Sequence, residues 1–246
     1  MAIYTARPGQ MAYGYPIGII CARWHIPFIP GDLNHAASYD YPVRYVAADV
    51  PGTAIVQGTA DLEEFGRPIV AAARRLEAEG VRAITSNCGF FGRWQGMVAD
   101  AVRVPVFMSS LIVAPFIRSL LGTDRAVGVL VANSKAVGPS LLGAVGIGDP
   151  SGLVIHGMEA YAHFNEVILE ECGTLDSDRM RAEVVEACGD LLAQHPEVGA
   201  LLLECSDLPV YAEAAHAATG LPVFDWVTLI DFVARSVTPK RYTGLY

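Results

Sequence analysis

A repeat within the chain places a cysteine at the same point twice, and it limits the fold more than any other feature. Cys88 is followed 17 residues later by Pro105, which opens a Pro-Val-Phe triplet, and Cys205 is followed 17 residues later by the same triplet at Pro222. The two segments are therefore offset by 117 residues. Four more identities share this offset: Ala83 and Ala200, Ala101 and Ala218, Arg118 and Arg235, and Ser119 and Ser236. The chain predicts two copies of one structural unit.

Each copy reads as an apolar strand that ends at the cysteine, then a helix, then a strand that opens at the triplet. Strands and helices alternate along the rest of the chain, including a strong helix over Asp61–Glu79 that Asp61 would cap. This alternation predicts the α/β class, with mainly parallel sheets flanked by helices. We expect two similar lobes related by a pseudo-twofold axis, with the site between them. The first would comprise residues 1–108 and 223–246 and carry Cys88, and the second residues 109–222 and carry Cys205.

Composition and charge exclude several classes of function. The longest apolar stretch, Val104–Ile117, has 14 residues, which is too short for a membrane span of roughly 20 and indicates buried core. The net charge of -9 argues against nucleic acids and anionic membranes as partners. No leader is recognisable before the first strand, so we expect a cytoplasmic protein whose cysteines stay reduced.

The five cysteines do not form a metal-binding pattern. They are odd in number, lack zinc-ribbon or C-x-x-C spacing, and belong to no cluster with histidines and carboxylates at ligand spacing. We therefore predict no metal. Cys172 and Cys188 fall within helical segments and are expected in the core, while Cys21 ends a strand and stays a weaker site candidate.

Cys88 and Cys205 both follow the carboxyl ends of predicted parallel strands, where such sheets bind ligands. Gly89 and Phe90 open a helix after the first thiol. Ser206 or Asp207 would cap a helix after the second. A helix N-terminus lowers the pKa of a thiol and offers amides to a carboxylate. We expect the two thiols to act as acid and base, and the amides at 89–90 and 206–207 to bind substrate with the side chains of Asn87 and Ser206.

Two segments, Thr85–Phe90 and Leu203–Pro209, resemble the cysteine motifs of the aspartate/glutamate racemase superfamily, and Val127–Ser134 extends the resemblance. This superfamily includes hydantoin racemases, maleate isomerases and arylmalonate decarboxylases. The resemblance implies two α/β lobes, each placing one cysteine beside the reacting carbon, and no cofactor. Glutamate racemases have Asn-Thr where Gly89 and Phe90 stand, and a histidine at the position of Asp207. These departures argue against glutamate as the substrate.

Two further segments supply candidates for substrate binding. Asn133 and Ser134 follow a strand within the region of resemblance. The loop over residues 30–35 contains Asp32 and Asn34, and it could close over the cleft; the alternative is a surface turn built by these residues and Gly31.

The function predicted from these residues is a cofactor-independent racemase or epimerase acting on a carbon next to a carboxyl or amide carbonyl. Cys88 and Cys205 would alternate as base and acid on opposite faces of that carbon. An isomerase or lyase on the same scaffold, like maleate isomerase or arylmalonate decarboxylase, is the first alternative. A non-catalytic protein that binds a small ligand is the second. The expected partner is a small carboxylate or amide, and the sequence leaves a homo-oligomer open.

Overall fold

The computed structural model describes residues 3–8 and 10–245. Its eight strands are β1 (Ile17–Arg23), β2 (Val43–Pro51), β3 (Ala83–Ser86), β4 (Val106–Phe107), β5 (Ala126–Val131), β6 (Leu153–Gly157), β7 (Val198–Leu203) and β8 (Val223–Asp225). They form two four-stranded sheets, ordered β2-β1-β3-β4 and β6-β5-β7-β8, and every strand pair is parallel. The predicted α/β class is confirmed.

Helices connect the strands on both faces of the sheets. The α-helices are α1 (Gly52–Val56), α2 (Leu62–Ala78), α3 (Gln95–Ala101), α4 (Ala114–Ser119), α5 (Pro139–Ala144), α6 (Ala162–Phe164), α7 (Ser177–Gln194), α8 (Ala212–Thr219) and α9 (Trp226–Val237). Short 3-10 helices cover Ala36–Ser38, Gly89–Trp94, Ser110–Val113, Ser134–Ala136, Met158–Ala160 and Pro209–Tyr211, and a π-helical turn covers Asn165–Leu169. None of the helices in the described ranges is long and apolar enough to cross a bilayer.

The two sheets repeat each other in register as well as in order. Ile84 pairs with Val106 in the first sheet, and Leu201 pairs with Val223 in the second. The residue numbers of the first pair are each 117 lower than those of the second pair, and 117 is the offset of the sequence repeat. The carboxyl ends of β3 and β7 are therefore equivalent positions in two copies of one unit.

The last strand corrects the predicted lobe boundary. β8 pairs with β7, so residues 223–225 belong to the second sheet and not to the first lobe. The helix that follows, α9, does pack on the first sheet: its Trp226 and Ile230 share a buried cluster with Ile17 and Ala83. The exchange is mutual, because α4, which follows the first sheet's β4, contacts β5 of the second.

The local sequence explains why α2 forms and where it packs. Asp61 accepts hydrogen bonds from the amides of Glu63 and Glu64, which confirms the predicted N-cap. Ile69 and Leu76 lie on one buried face at helical spacing. Each such buried side chain contributes roughly 1.5–3 kcal/mol of apolar transfer free energy.

Candidate active site

The two cysteines occupy equivalent buried positions. Cys88 stands two residues beyond the end of β3, and Cys205 stands two residues beyond the end of β7. Their exposed fractions are 7% and 5%. A negative charge on Cys88 would raise the pKa of Cys205, so the two thiols lie in one neighbourhood.

Each thiol accepts a hydrogen bond from the backbone amide two residues further along. Phe90 donates to Cys88, and Asp207 donates to Cys205. The segments that follow begin as 3-10 turns, and Leu208 takes the N-cap position before the second one. The predicted capping role of Ser206 or Asp207 is therefore wrong, because both side chains hydrogen-bond to each other instead.

Burial raises the pKa of both thiols, and the neighbouring carboxyl groups of Glu204 and Asp207 raise it further. The expectation of a lowered thiol pKa is wrong for this state of the protein. One amide hydrogen bond and the start of a 3-10 turn offset only part of the desolvation cost of a buried thiolate. Cys88 and Cys205 are held here as neutral thiols.

Asp207 connects the second thiol to a pair of carboxyl groups. Its Oδ2 atom accepts hydrogen bonds from the Cys205 thiol and the Ser206 hydroxyl, both at 3.3 Å. Asp32 also hydrogen-bonds to Asp207, and burial together with the charge of Asp207 holds the pKa of Asp32 well above its usual range. Burial raises the pKa of Asp207 as well, but hydrogen bonds from Asp32, the Cys205 thiol and Ser206 oppose that rise, so Asp32 is the protonated donor of the pair and Asp207 the acceptor. The two carboxyl groups share one proton and carry one negative charge.

The loop that contains Asp32 crosses to the second lobe. Asp32 is buried, and its Oδ1 atom accepts the amide of Asn34 at 2.6 Å. Gly31 has a φ of +102°, and a Cβ atom there would stand 3.1 Å from the Cα atom of Val210 in the other lobe. The Asn34 side chain accepts a weak hydrogen bond from Cys21 at 3.6 Å. The loop therefore covers the cleft rather than forming a surface turn.

Glu204 is the residue of this site to which the sequence reasoning gave no role. It links β7 to Cys205, is 1% exposed, and fills the space where a side chain on Gly89 would stand. Its Oε1 atom is buried without a hydrogen-bond partner within the described part of the chain, and burial raises its pKa to about 8. The sequence could have indicated Glu204 by its position, because this glutamate directly follows the six buried residues of Val198–Leu203.

The remaining predicted residues divide between the cleft and the scaffold. Asn87 adjoins Cys88; its Oδ1 atom accepts the Ala22 amide at 3.0 Å, while its buried Nδ2 atom has no partner among the described residues. Asn133 donates to the Val56 carbonyl at 3.1 Å, and the hydroxyl of Ser134 donates to Glu159. The structure engages Asn133 and Ser134 in scaffold contacts, and Phe90 packs in the core.

The walls around the thiols are acidic. Asp32 and Glu204 are buried and Asp207 is half-buried, and none of them forms an ion pair with a lysine or arginine in residues 3–8 and 10–245. The same residues contain no group of three or more side chains arranged to hold a metal ion. A ligand that neutralises this cleft has to bring its own positive charge.

The sequence matches a family model and several curated proteins. The Asp/Glu/hydantoin racemase model matches residues 33–230. A dimethylsulfoniopropionate lyase from Durusdinium sp. clade D is 33% identical over 236 residues, which cover 93% of this chain and 77% of that protein. Dimethylsulfoniopropionate lyase 5 from Emiliania huxleyi is 33% identical over 237 residues, again 93% of this chain. This chain spans about half, 47%, of the length of that second relative.

A solved structure shares the fold at low sequence identity. An aspartate racemase homologue from Pyrococcus horikoshii superimposes with a TM-score of 0.57 at 17% identity, over 91% of this chain and 99% of the other. Such a likeness concerns the fold, and the family assignment rests on the sequence match. The chain belongs to the Asp/Glu/hydantoin racemase family.

Proposed function

We propose that this protein is a lyase that eliminates a dialkyl sulfide from a β-sulfonio carboxylate such as dimethylsulfoniopropionate. The observation that carries the proposal is the charge of the cleft: the carboxyl groups of Glu204 and Asp207 adjoin both thiols, and no basic side chain among the described residues is paired with them. The sequence match to dimethylsulfoniopropionate lyases over 93% of the chain supports the same substrate class.

The charge of the carboxyl pair fits a sulfonium group. Asp32 and Asp207 share one proton, so their single negative charge matches the single positive charge of a sulfonium. A dicarboxylate such as maleate would bring two negative charges instead. Two unit charges 4 Å apart repel by about 4 kcal/mol at an effective dielectric constant of 20. A zwitterion with a cationic end therefore suits this cleft better than a dianion.

Cys205 is the proposed base. Binding of the sulfonium cation favours the thiolate, and the thiol proton passes to the Asp207 oxygen that it already contacts at 3.3 Å. The thiolate takes the proton from the α-carbon, and the electron pair of that C–H bond forms the Cα–Cβ double bond. The Cβ–S bond breaks, and its electron pair leaves on the neutral sulfide. The products are an α,β-unsaturated carboxylate and a sulfide. Cys205 returns to its thiol form, and Asp207 releases to solvent the proton that it took from the thiol, which restores its negative charge. A positioned base contributes roughly 10²–10⁴-fold to such a step.

Racemisation is the second candidate function, and one observation favours it. The two thiols share one feature: each accepts an amide hydrogen bond from the residue two positions on. In a racemase Cys88 would return the proton to the face opposite Cys205. Both candidates begin with removal of an α-proton, and they differ in what the carbanion does next.

Proton NMR in heavy water separates these candidates. Dimethylsulfoniopropionate should yield acrylate and dimethyl sulfide. Its trimethylammonio analogue, which keeps the charge but has a poor leaving group, should exchange α-protons for deuterium without cleavage. L-aspartate and L-glutamate serve as the racemase substrates. Deuterium uptake and inversion in these amino acids, with no acrylate from the sulfonium compound, would overturn the lyase proposal in favour of the racemase.

A further inference from the structure

We propose that Glu204 is a catalytic residue: its neutral carboxylic acid donates a hydrogen bond to the substrate carboxylate and stabilises the enediolate formed when the α-proton leaves. This inference rests on the proposed lyase function and assigns the site for the anionic end of the substrate.

Three hydrogen bonds fix the backbone of Glu204, and its side chain points toward Gly89 of the other lobe. Its amide donates to the Leu130 carbonyl at 2.9 Å. Its own carbonyl accepts the Trp226 indole N–H at 2.5 Å and the Ser110 hydroxyl at 3.5 Å. The side chain then extends from the second lobe to Gly89 of the first, so its carboxyl group lies between the two cysteine motifs.

Two buried polar atoms at this point have no partner among the described residues. They are Oε1 of Glu204 and Nδ2 of Asn87, the residues that directly precede Cys205 and Cys88. An unsatisfied buried polar group costs roughly 1–3 kcal/mol, so such atoms indicate a role that a ligand completes. A protonated carboxyl and an amide N–H are both donors. A substrate carboxylate supplies the acceptors that both of them need.

The ionisation state of Glu204 suits this role near neutral pH. Burial raises its pKa to about 8, so the acid is mainly protonated at pH 7. The titratable groups that face it are the thiols of Cys88 and Cys205, which are themselves neutral. The groups that approach its backbone carbonyl, the Trp226 indole and the Ser110 hydroxyl, are neutral.

A neutral acid serves the reaction better than a carboxylate would. An ionised Glu204 would repel the substrate carboxylate, whereas a protonated one donates a charge-assisted hydrogen bond to it. Charge accumulates on the substrate oxygens as the α-proton leaves, so the hydrogen bond strengthens in the transition state. Loss of one such preorganised donor typically lowers turnover by about 10²–10³-fold.

Two substitutions test the proposal through the pH dependence of dimethylsulfoniopropionate cleavage. The wild-type kcat/KM should fall as pH rises above about 8, where Glu204 ionises. Glu204→Gln keeps a neutral donor of similar shape, so it should retain activity within roughly tenfold and lose this alkaline decline. Glu204→Leu should lose about 10²–10³-fold at neutral pH. Glu213→Gln, at an exposed position on α8, is the matched control and should keep the wild-type profile.

The outcomes separate this inference from the lyase proposal. Glu204→Gln with an unchanged alkaline decline, or with activity as low as Glu204→Leu, overturns the role of Glu204 while wild-type cleavage still supports the lyase. No acrylate from the wild type refutes the lyase function instead. In that case the infrared difference spectrum between wild type and Glu204→Gln tests the role of Glu204. The spectrum should show the carbonyl band of a protonated carboxyl group below pH 8, and absence of that band overturns the inference.

Discussion

The carboxyl group of Glu204 in the second lobe occupies the volume that a side chain on Gly89 of the first lobe would need. Gly89→Ala should therefore displace the acid, destabilise the protein by about 1–3 kcal/mol through overpacking, and reduce cleavage about as much as Glu204→Leu does. Denaturant unfolding and acrylate release measure the two effects. Gly96→Ala in α3 is the control, because a Cβ atom there meets no atom within 4 Å. It should be neutral or stabilising by up to about 1 kcal/mol.

The two thiols should differ in importance if the protein is a lyase. Cys205→Ser should lower acrylate formation by about 10²–10⁴-fold, because its thiolate removes the α-proton. Cys88→Ser should keep elimination within roughly tenfold, since elimination needs no proton returned to carbon. Cys172 is exposed and lies between helices, so its predicted place in the core is wrong, and Cys172→Ser should change nothing. Equal and complete loss in Cys88→Ser and Cys205→Ser would favour the two-base racemase mechanism.

Removal of the negative charge at Asp207 should weaken binding of the cationic end of the substrate. Asp207→Asn should raise the Kd of the trimethylammonio analogue by about 10–100-fold, in line with roughly 1.5–3 kcal/mol for an interaction with a charged group. 4,4-Dimethylpentanoate, in which an uncharged tert-butyl group replaces the trimethylammonio group, should not lose affinity. Titration calorimetry measures both ligands, with the exposed Asp100→Asn as the control of equal charge. Parallel losses for both ligands would contradict recognition of the positive charge.

Alkylation should be slow at the two site thiols in the free protein. Burial raises the pKa of Cys88 and Cys205, and neutral buried thiols are poor nucleophiles. Iodoacetamide at pH 7 should modify the exposed Cys172 first, as peptide mass spectrometry over time would show. Cys172→Ser should remove this fast phase. Modification of Cys205 as fast as that of Cys172 would contradict the raised thiol pKa.

The raised pKa of Glu204 also predicts a pH dependence of stability. Between the ordinary glutamate pKa of about 4.3 and the native value of about 8, the folded state keeps a proton that the unfolded state has lost. Ionisation of Glu204 should therefore lower the free energy of unfolding by about 1.4 kcal/mol for each pH unit between these two pKa values. Denaturation of wild type and Glu204→Gln should show a difference that grows over this range. Asp32, Asp207 and Asp225 are common to both proteins, so a constant difference would refute the assignment.

The repeat predicted most of the architecture because it requires the same strand–helix–strand unit in both sheets. Its offset of 117 residues recurs in the pairing of Ile84 with Val106 and of Leu201 with Val223. The short helix Gly52–Val56 was not predicted, since five residues show too little periodicity. The boundary before β8 was misplaced because strand pairing is a long-range contact, and no local signal reveals which sheet a three-residue strand joins.

Sequence reasoning found the two thiols but not their electrostatic surroundings. Spacing alone indicates that Cys88 and Cys205 follow strand ends, and it indicates amides nearby. The pKa of each thiol depends instead on burial and on nearby carboxyl groups, and for Cys88 those carboxyl groups, Glu204 and Asp207, come from the other lobe through tertiary packing. Glu204 stood beside a predicted catalytic residue, yet only its burial and its contact with Gly89 distinguish it from a surface glutamate.

The exchange of α4 and α9 between the sheets has a consequence for how ligands enter. Each helix is covalently joined to one lobe and packs against the sheet of the other. Moving the two lobes apart would break the packing of both helices and expose the hydrophobic core of each lobe to water. We therefore expect the two lobes to move as a single rigid body. A ligand would then enter the cleft when the loop over residues 30–35, which contains Asp32, moves away.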